Sequence, residues 1–410
     1  MRDIENLDVF KPKFISGVIS TFKTDPATYR GASFAPIKSS LEEEIVIDVK
    51  QYYDGLIPAV APGAESPIVH RSGRAVMTYK PAYFRGKMLL HERNIQQLRR
   101  LGTDNQKETR QELVAGWLAD LDRHVELRIE HSRWNALVNG AYTYYVDKQA
   151  VTVNYNVPSK FKPTLTGTDK WSDLANSDPI DDLNNWARLF RGSPARLGSI
   201  WLNQKVLNYL LHNEKIRDLI KTYGKGAGIG HPTLATVTDV LKAEIPGFAG
   251  IEVYDEGYNV HTFVTTSAAS GQKDVVVEDA TYIEVGDTVT LKSSDYSQQE
   301  DYVVASKSGN TLTMTVNLSS TFAVGAEAVI FKPFIPDNKV ILKGVVPAGE
   351  IDMAFITTPS AYNGGLLNPR PGKFGKRILY DQDPPKIELV AGIYGLPILR
   401  NDTNIIATVA

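Results

Sequence analysis

Between about Thr103 and Gly140 the apolar positions recur three and four residues apart. Leu113, Val114, Trp117, Leu118, Leu121, Val125, Ile129 and Trp134 form one stripe at the 3.6-residue period, with charged residues on the opposite face. The pattern predicts a single long helix. Thr103 followed by Gln106 reads as a capping box, and Asn139-Gly140 supplies a stop at which glycine takes the left-handed conformation. At 1.5 Å per residue the helix runs to roughly 50 Å, and without a sustained heptad it is a spine rather than a coiled-coil strand.

Before the spine, residues 1–50 mix short apolar pieces with Pro12, Pro26 and Pro36 and end in the strand-like EIVIDV. They predict an extended arm that lies along other surfaces. Within residues 55–86, Ile68–His70 and Ala75–Tyr79 flank Arg71-Ser72-Gly73-Arg74, a hairpin-turn signal. A two-stranded ribbon is marginal in water, so it either packs on its own subunit or reaches over a neighbour.

After the spine, AYTYYVDKQAVTVNYNV alternates as a hairpin does, and DDLNNWARLFR is an amphipathic helix with Leu183, Trp186, Leu189 and Phe190 on one face. From Ser199 to Tyr258, strand-like GSIWLN and IEVYDEGY enclose helical QKVLNYLLHNEKIRDLIKTY and LATVTDVLKAEI, an α/β region. Helical signals vanish over residues 262–331. There DTVTLKS turns Val289 and Leu291 inward, NTLTMTVN turns Leu312, Met314 and Val316 inward, and Ser308-Gly309-Asn310 makes a turn. These residues predict a small all-β module inserted between strands of one parent domain. The apolar C-terminal runs predict strands tied into a sheet.

Composition adds exclusions. The 410-residue chain is 42% hydrophobic and 22% charged, within the globular range, and long enough for two or three domains. A formal net charge of -2 gives no support for a dedicated nucleic-acid binder. Cysteine is absent, which rules out disulfides and thiolate chemistry and suits a reducing cytoplasm. The first residues lack a signal-peptide apolar region, and the apolar run near Leu389–Leu399 is too short to span a bilayer. A soluble, non-secreted protein is expected.

Catalytic motifs are missing. GKGAGIG, within Tyr223–Gly230, follows a helix and lacks the Gly-Lys-Ser/Thr ending of a phosphate loop, so it reads as an adaptable loop at a domain tip. His124 and His131 share a helix face but stand about 10 Å apart, too far for one metal, and read as solvated or interface residues. Asp181-Asp182 resembles a metal or acid/base pair, yet carboxylates at a helix start more often serve as caps. The acidic turn Asp381–Pro385 is another weak cation candidate. No catalytic residue, metal or cofactor is therefore expected.

Six segments carry a family resemblance: VAPGAESPIVHRSGRAVMTYKPAYFRGK, Leu98–Gly102, WSDLANSDPIDDLNNW, VYDEGY, FIPDNKVIL and DPPKIELVAGIYGLPIL. In this order they resemble the major capsid proteins of tailed phages, specifically the lambda-type major capsid protein E family. The resemblance implies an α+β, Hong Kong 97-like capsid fold carrying the inserted all-β domain. It maps residues 1–50 to an N-terminal arm, 51–91 to an extended β-hairpin loop, and 92–185 with 376–410 to a peripheral domain. Residues 186–261 with 332–375 become the axial domain, and 262–331 the insertion.

The implied function is a non-enzymatic head protein that self-assembles into an icosahedral shell around the genome. Its partners would be further copies in hexamers and pentamers, portal and scaffold proteins, a decoration protein, and packaged DNA held without sequence preference. Its place is the virion, after assembly in the host cytoplasm, with no membrane contact. Intersubunit contacts are expected at Pro67, Ile68, Val69, His70, Arg71, Arg74, Val76, Tyr79, Tyr223 and Lys225, and inner-face DNA contacts at Arg99, Arg100 and Lys107. The alternative is a hydrolase or carbohydrate-binding protein whose β-module holds the ligand.

Overall fold

The computed structural model describes residues 29–50, 56–57, 59–60, 65–66, 68, 74–91, 110–146, 149–222, 232–380 and 386–410. The chain enters through helix α1 (Gly31–Phe34) and strand β1 (Ile37–Ser39), forms β2 (Ile45–Lys50) and β3 (Arg74–Tyr79), and continues along β4 (Ala82–His91). The spine helix α2 (Arg110–Asn139) follows, then the hairpin β5 (Ala141–Val146) and β6 (Gln149–Asn154). Next come α3 (Pro179–Leu189), β7 (Arg196–Leu202), α4 (Gln204–His212), α5 (Glu214–Thr222), α6 (Leu234–Glu244) and β8 (Gly250–Val253). Six strands then form a separate unit: β9 (Gly257–Thr266), β10 (Asp274–Val277), β11 (Thr288–Lys292), β12 (Gln299–Ser308), β13 (Thr311–Met314) and β14 (Glu327–Pro333). The last are β15 (Lys339–Val345), β16 (Met353–Thr357), β17 (Lys373–Tyr380), β18 (Lys386–Leu399) and β19 (Asn404–Thr408).

The predicted spine is present, 30 residues long in its described part, which spans about 45 Å. Thr103 and Gln106, its expected cap, lie outside the described residues. Gly140 ends it with φ +61°, the left-handed conformation that glycine adopts without a Cβ clash. Along its first half the apolar stripe works as the spacing requires. Val114, Leu118, Leu121, Val125 and Ile129 are buried against Phe355, Ile387, Leu389, Ala391 and Ile393 of the sheet below.

The second half departs from the expected charged, solvated face. Ile129, Glu130, His131, Ser132, Arg133 and Trp134 are all buried, six residues in succession, so the helix is enclosed on every side. The reason is tertiary. Phe34 from the arm lies edge-on to Trp134, Tyr142 from the following hairpin meets Ser132 Oγ at 2.8 Å, and Tyr258 of β9 meets His131.

The sheet beneath the spine has the order β1-β16-β18-β17, with β4 also pairing β18. Its central strand, β18, is buried over nearly its whole length, as expected of a strand covered on both faces. The arm therefore does not simply lie on other surfaces: its described end supplies β1, paired parallel with β16 from Ile37↔Phe355 to Ser39↔Thr357. A second sheet runs β19-β15-β7-β8, with α3 to α6 packed on it through Trp186, Leu207, Leu210, Ile216, Val237 and Leu241. The C-terminal strand is tied into this sheet, as its apolar sequence requires.

The β-rich segment closes into a six-stranded barrel, β10-β13-β12-β11-β14-β9. Val289, Leu291, Leu312 and Met314 point inward as their alternation predicts. Val316 does not; it lies past the end of β13 and is exposed. The strands flanking the barrel, β8 and β15, sit in one sheet on either side of β7.

Leu118→Ala is expected to lower unfolding free energy by about 3 kcal/mol in denaturant titration, because it opens a cavity between spine and sheet. Asp120→Ala on the exposed face should change it by less than about 0.5 kcal/mol. Equal effects would contradict this packing.

Candidate assembly interface

The described part of the ribbon pairs with a strand other than the one its sequence suggests. β3 pairs antiparallel with β2, in register from Ile45↔Tyr79 to Lys50↔Arg74. Ile68 lies in no strand, and Pro67, Val69, His70 and Arg71 are outside the described residues. Alternation identified EIVIDV and Ala75–Tyr79 as strands, but it fixes a strand's faces and not its partner.

One face of the ribbon is rooted: Ile45 is buried and the Tyr79 ring lies 5.8 Å from that of Tyr155. The other face carries Val46 and Val76, both exposed, near one another on the diagonal of the pairing. Leu56 (98% exposed) and Ile68 (91%), from the stretch that joins the two strands, also stand in solvent. Burying one such side chain is worth about 1.5–3 kcal/mol, so this element leaves apolar surface uncovered in the subunit. Arg74, Val76 and Tyr79 thus share one strand, with Ile68 in the connection. Tyr223, Lys225, Arg99, Arg100 and Lys107 lie outside the described residues.

Behind the ribbon, the arm is held by a feature the sequence did not reveal. Glu130 is fully buried, and its Oε1 accepts the Gly31 N–H at 2.7 Å, Trp134 Nε1–H at 2.7 Å and the Tyr254 hydroxyl at 3.3 Å. Arg133, itself buried, pairs with its Oε2 at 3.3 Å. A buried carboxylate is tolerable only with such a full set of donors. Glycine is required at position 31 by space: a Cβ there would lie 2.5 Å from Glu130 Oε2.

A chamber of about 340 Å³ separates the spine from the barrel, lined by His124, Arg128, His131, Tyr258, His261 and Tyr282 among others. The structure splits the predicted histidine pair: His124 is exposed, whereas His131 is buried with its ring 4.7 Å from Tyr258 and no partner at Nδ1. Burial, with Arg128 and Lys332 nearby, pushes His131 down to about 3. Asp181 and Asp182 lie in the first turn of α3. Asp178 caps α3 by accepting from the Asp181 N–H at 3.1 Å, and Asp182 accepts from Trp171 Nε1 at 2.9 Å and is pushed up to about 6 by burial. Among the described residues no group of three or more His, Asp or Glu could hold a metal, and no helix is long and apolar enough to cross a membrane.

Two predictions follow from these buried groups. Gly31→Ala should break the arm's tie to Glu130, seen as faster tryptic cleavage after Arg30 and a stability loss of about 1.5–3 kcal/mol; an unchanged digest would contradict the tie. His131 is neutral when folded but titrates near 6.5 when unfolded. The unfolded state therefore binds the extra proton, and stability should fall as pH drops from about 6.5 towards 3. His131→Phe should flatten that decline in pH-dependent denaturation, and identical profiles would refute it.

No curated protein matches the chain. Among solved structures, a phage-related protein from Bordetella bronchiseptica aligns at 11% identity over 97% of both chains, with a TM-score of 0.46. A protein described as the capsid protein of an Escherichia coli prophage aligns at 12% identity over 96% of this chain and 95% of its own, with a TM-score of 0.48. The mature capsid of bacteriophage PhiM1 aligns at 9% identity over 95% and 87%, with a TM-score of 0.44. The family described as phage major capsid protein E matches residues 15–280. That match covers well over half of the sequence, and this chain belongs to the phage major capsid protein E family.

Proposed function

We propose that this major capsid protein builds an icosahedral shell in which the ribbon of each copy lies across the next. The observation that carries the reading is the ribbon's outer face, where Val46 and Val76 are exposed on a two-stranded element. Such a ribbon gains most of its stability from whatever covers it. A contact between two different surfaces of identical chains repeats around a ring, and rings of five and six tile a closed shell. The spine, sheet and projecting ribbon fit a Hong Kong 97-like fold, with residues 51–91 as extended loop and the barrel as an inserted domain. Portal, scaffold and decoration proteins, and assembly in the host cytoplasm, come with that reading.

Barrel contents argue against the ligand-binding alternative. Val275, Val289, Leu291, Leu312, Met314 and Phe322 fill the interior, each essentially inaccessible to solvent, leaving a packed core rather than a binding cleft. DNA contact through Arg99, Arg100 and Lys107 belongs to the same proposal and should weaken steeply with salt.

Val46→Asp combined with Val76→Asp is expected to leave the subunit folded by circular dichroism, because both side chains already face solvent. Assembly, scored by electron microscopy and sedimentation, should drop by about tenfold or more. Normal particles from the double variant would overturn the ribbon's role.

A further inference from the structure

A second exposed apolar feature lies in the connection between β16 and β17. Between β16 and β17 the chain folds into a tight loop. Ser360 N–H donates to the Arg370 carbonyl at 3.0 Å, Arg370 N–H to the Asn363 carbonyl at 2.7 Å, and the Asn363 side-chain amide to the Pro371 carbonyl at 2.9 Å. Gly364 and Gly365 turn the chain with φ +98° and +89°. The tip they create presents Leu366 and Leu367 at 88% and 103% exposure. A hydrogen-bonded loop that holds two adjacent leucines in solvent is a built knuckle.

Its flanks are basic. Arg85 and Lys376 stand 5.1 and 5.6 Å from the Tyr362 ring, and Arg370 is exposed at the loop's closing end. Beside it lies the opposite charge. β1 runs parallel to β16, Ser40 N–H donates to the Thr357 carbonyl at 2.8 Å, and both chains leave the sheet at the same end. From there Leu41, Glu42, Glu43 and Glu44 are all exposed, Leu41 at 87%. Burial, then Tyr83 and Glu43, push the Tyr394 hydroxyl up, which places the acidic segment near the Tyr83–Tyr394 stack that borders Tyr362. Among the described residues, Glu42, Glu43, Glu44 and Arg370 form no ion pair within the chain.

We propose that this end of the sheet is a self-complementary contact between two copies of the chain, the leucine knuckle and its cations on one meeting Leu41 and Glu42–Glu44 on the other. A patch that carries both signs side by side, each with an exposed leucine, satisfies both halves at once when a second copy is turned about a two-fold axis. The occupant is this chain itself, since three carboxylates face three cations and apolar faces apolar. Its acidic half adjoins the ribbon, since Glu44 leads directly into β2, but the contact differs in kind: it joins like surfaces, whereas the ribbon works between unlike ones. It rests on the shell reading, and it adds the joint that would connect one ring of subunits to the next.

The test is a charge swap in the full chain. One variant carries Glu42→Lys and Glu43→Lys, the other Arg370→Glu and Lys376→Glu, and all four side chains are exposed, so both should melt as the wild type does. Each variant alone should form particles about tenfold less than wild type or worse. Co-expressed, the two should restore particles, because every contact between unlike variants regains opposite charges. Recovery in the mixture excludes misfolding as the cause of the single defects. If either variant assembles normally alone, or if the mixture stays as poor as its components, this contact is refuted while the shell reading stands. Wild-type protein that forms no particles would refute the shell reading itself.

Discussion

The carboxylate of Glu130 is the constraint on which the arrangement depends. Fully buried, it takes donors from the arm, from its own helix and from the segment after β8, and these lie 99 and 124 residues away in sequence for Gly31 and Tyr254. Removing one donor leaves a buried carboxylate short of a partner in a dry interior, a larger loss than the bond itself is worth. The aromatic rings around it are placed accordingly: Trp134 stacks on Tyr254 at 4.8 Å and meets Phe34 at 4.9 Å. The arm is thereby locked to the spine at the point from which β1, and then the ribbon, depart.

Local periodicity revealed most of the elements. The helix stripe, the alternation of the barrel strands and the glycine stop at residue 140 each depend on neighbours in sequence, so they were legible there. What was not legible depends on distant segments. EIVIDV and Ala75–Tyr79 both read as strands, but nothing local says that they pair with each other across some 25 intervening residues. Glu130 and His131 look like members of a solvated helix face, and only the arm, the hairpin and the barrel root make that face an interior. Val316 keeps its alternation with Leu312 and Met314, yet the strand has already ended. Of the contact residues expected, Ile68 and Val76 stand exposed, whereas Tyr79 turns inward onto Tyr155, and the exposed Val46 was missed with its strand's pairing.

The same chain thus combines closed and open elements. The barrel leaves no free edge and fills its own core, and β18 is covered on both faces. The ribbon and the leucine knuckle, by contrast, hold apolar side chains out in solvent on well-anchored supports. In a solitary protein this distribution would carry an aggregation risk. On the reading proposed above, it is surface that another copy completes.

Hydrogen exchange across the ribbon tests this account most directly. Backbone amides of residues 45–50 and 74–79 are compared between free subunits and assembled particles. The account predicts fast exchange in the subunit and strong protection in the particle, as a neighbour covers the ribbon. Equal exchange in the two states would contradict it.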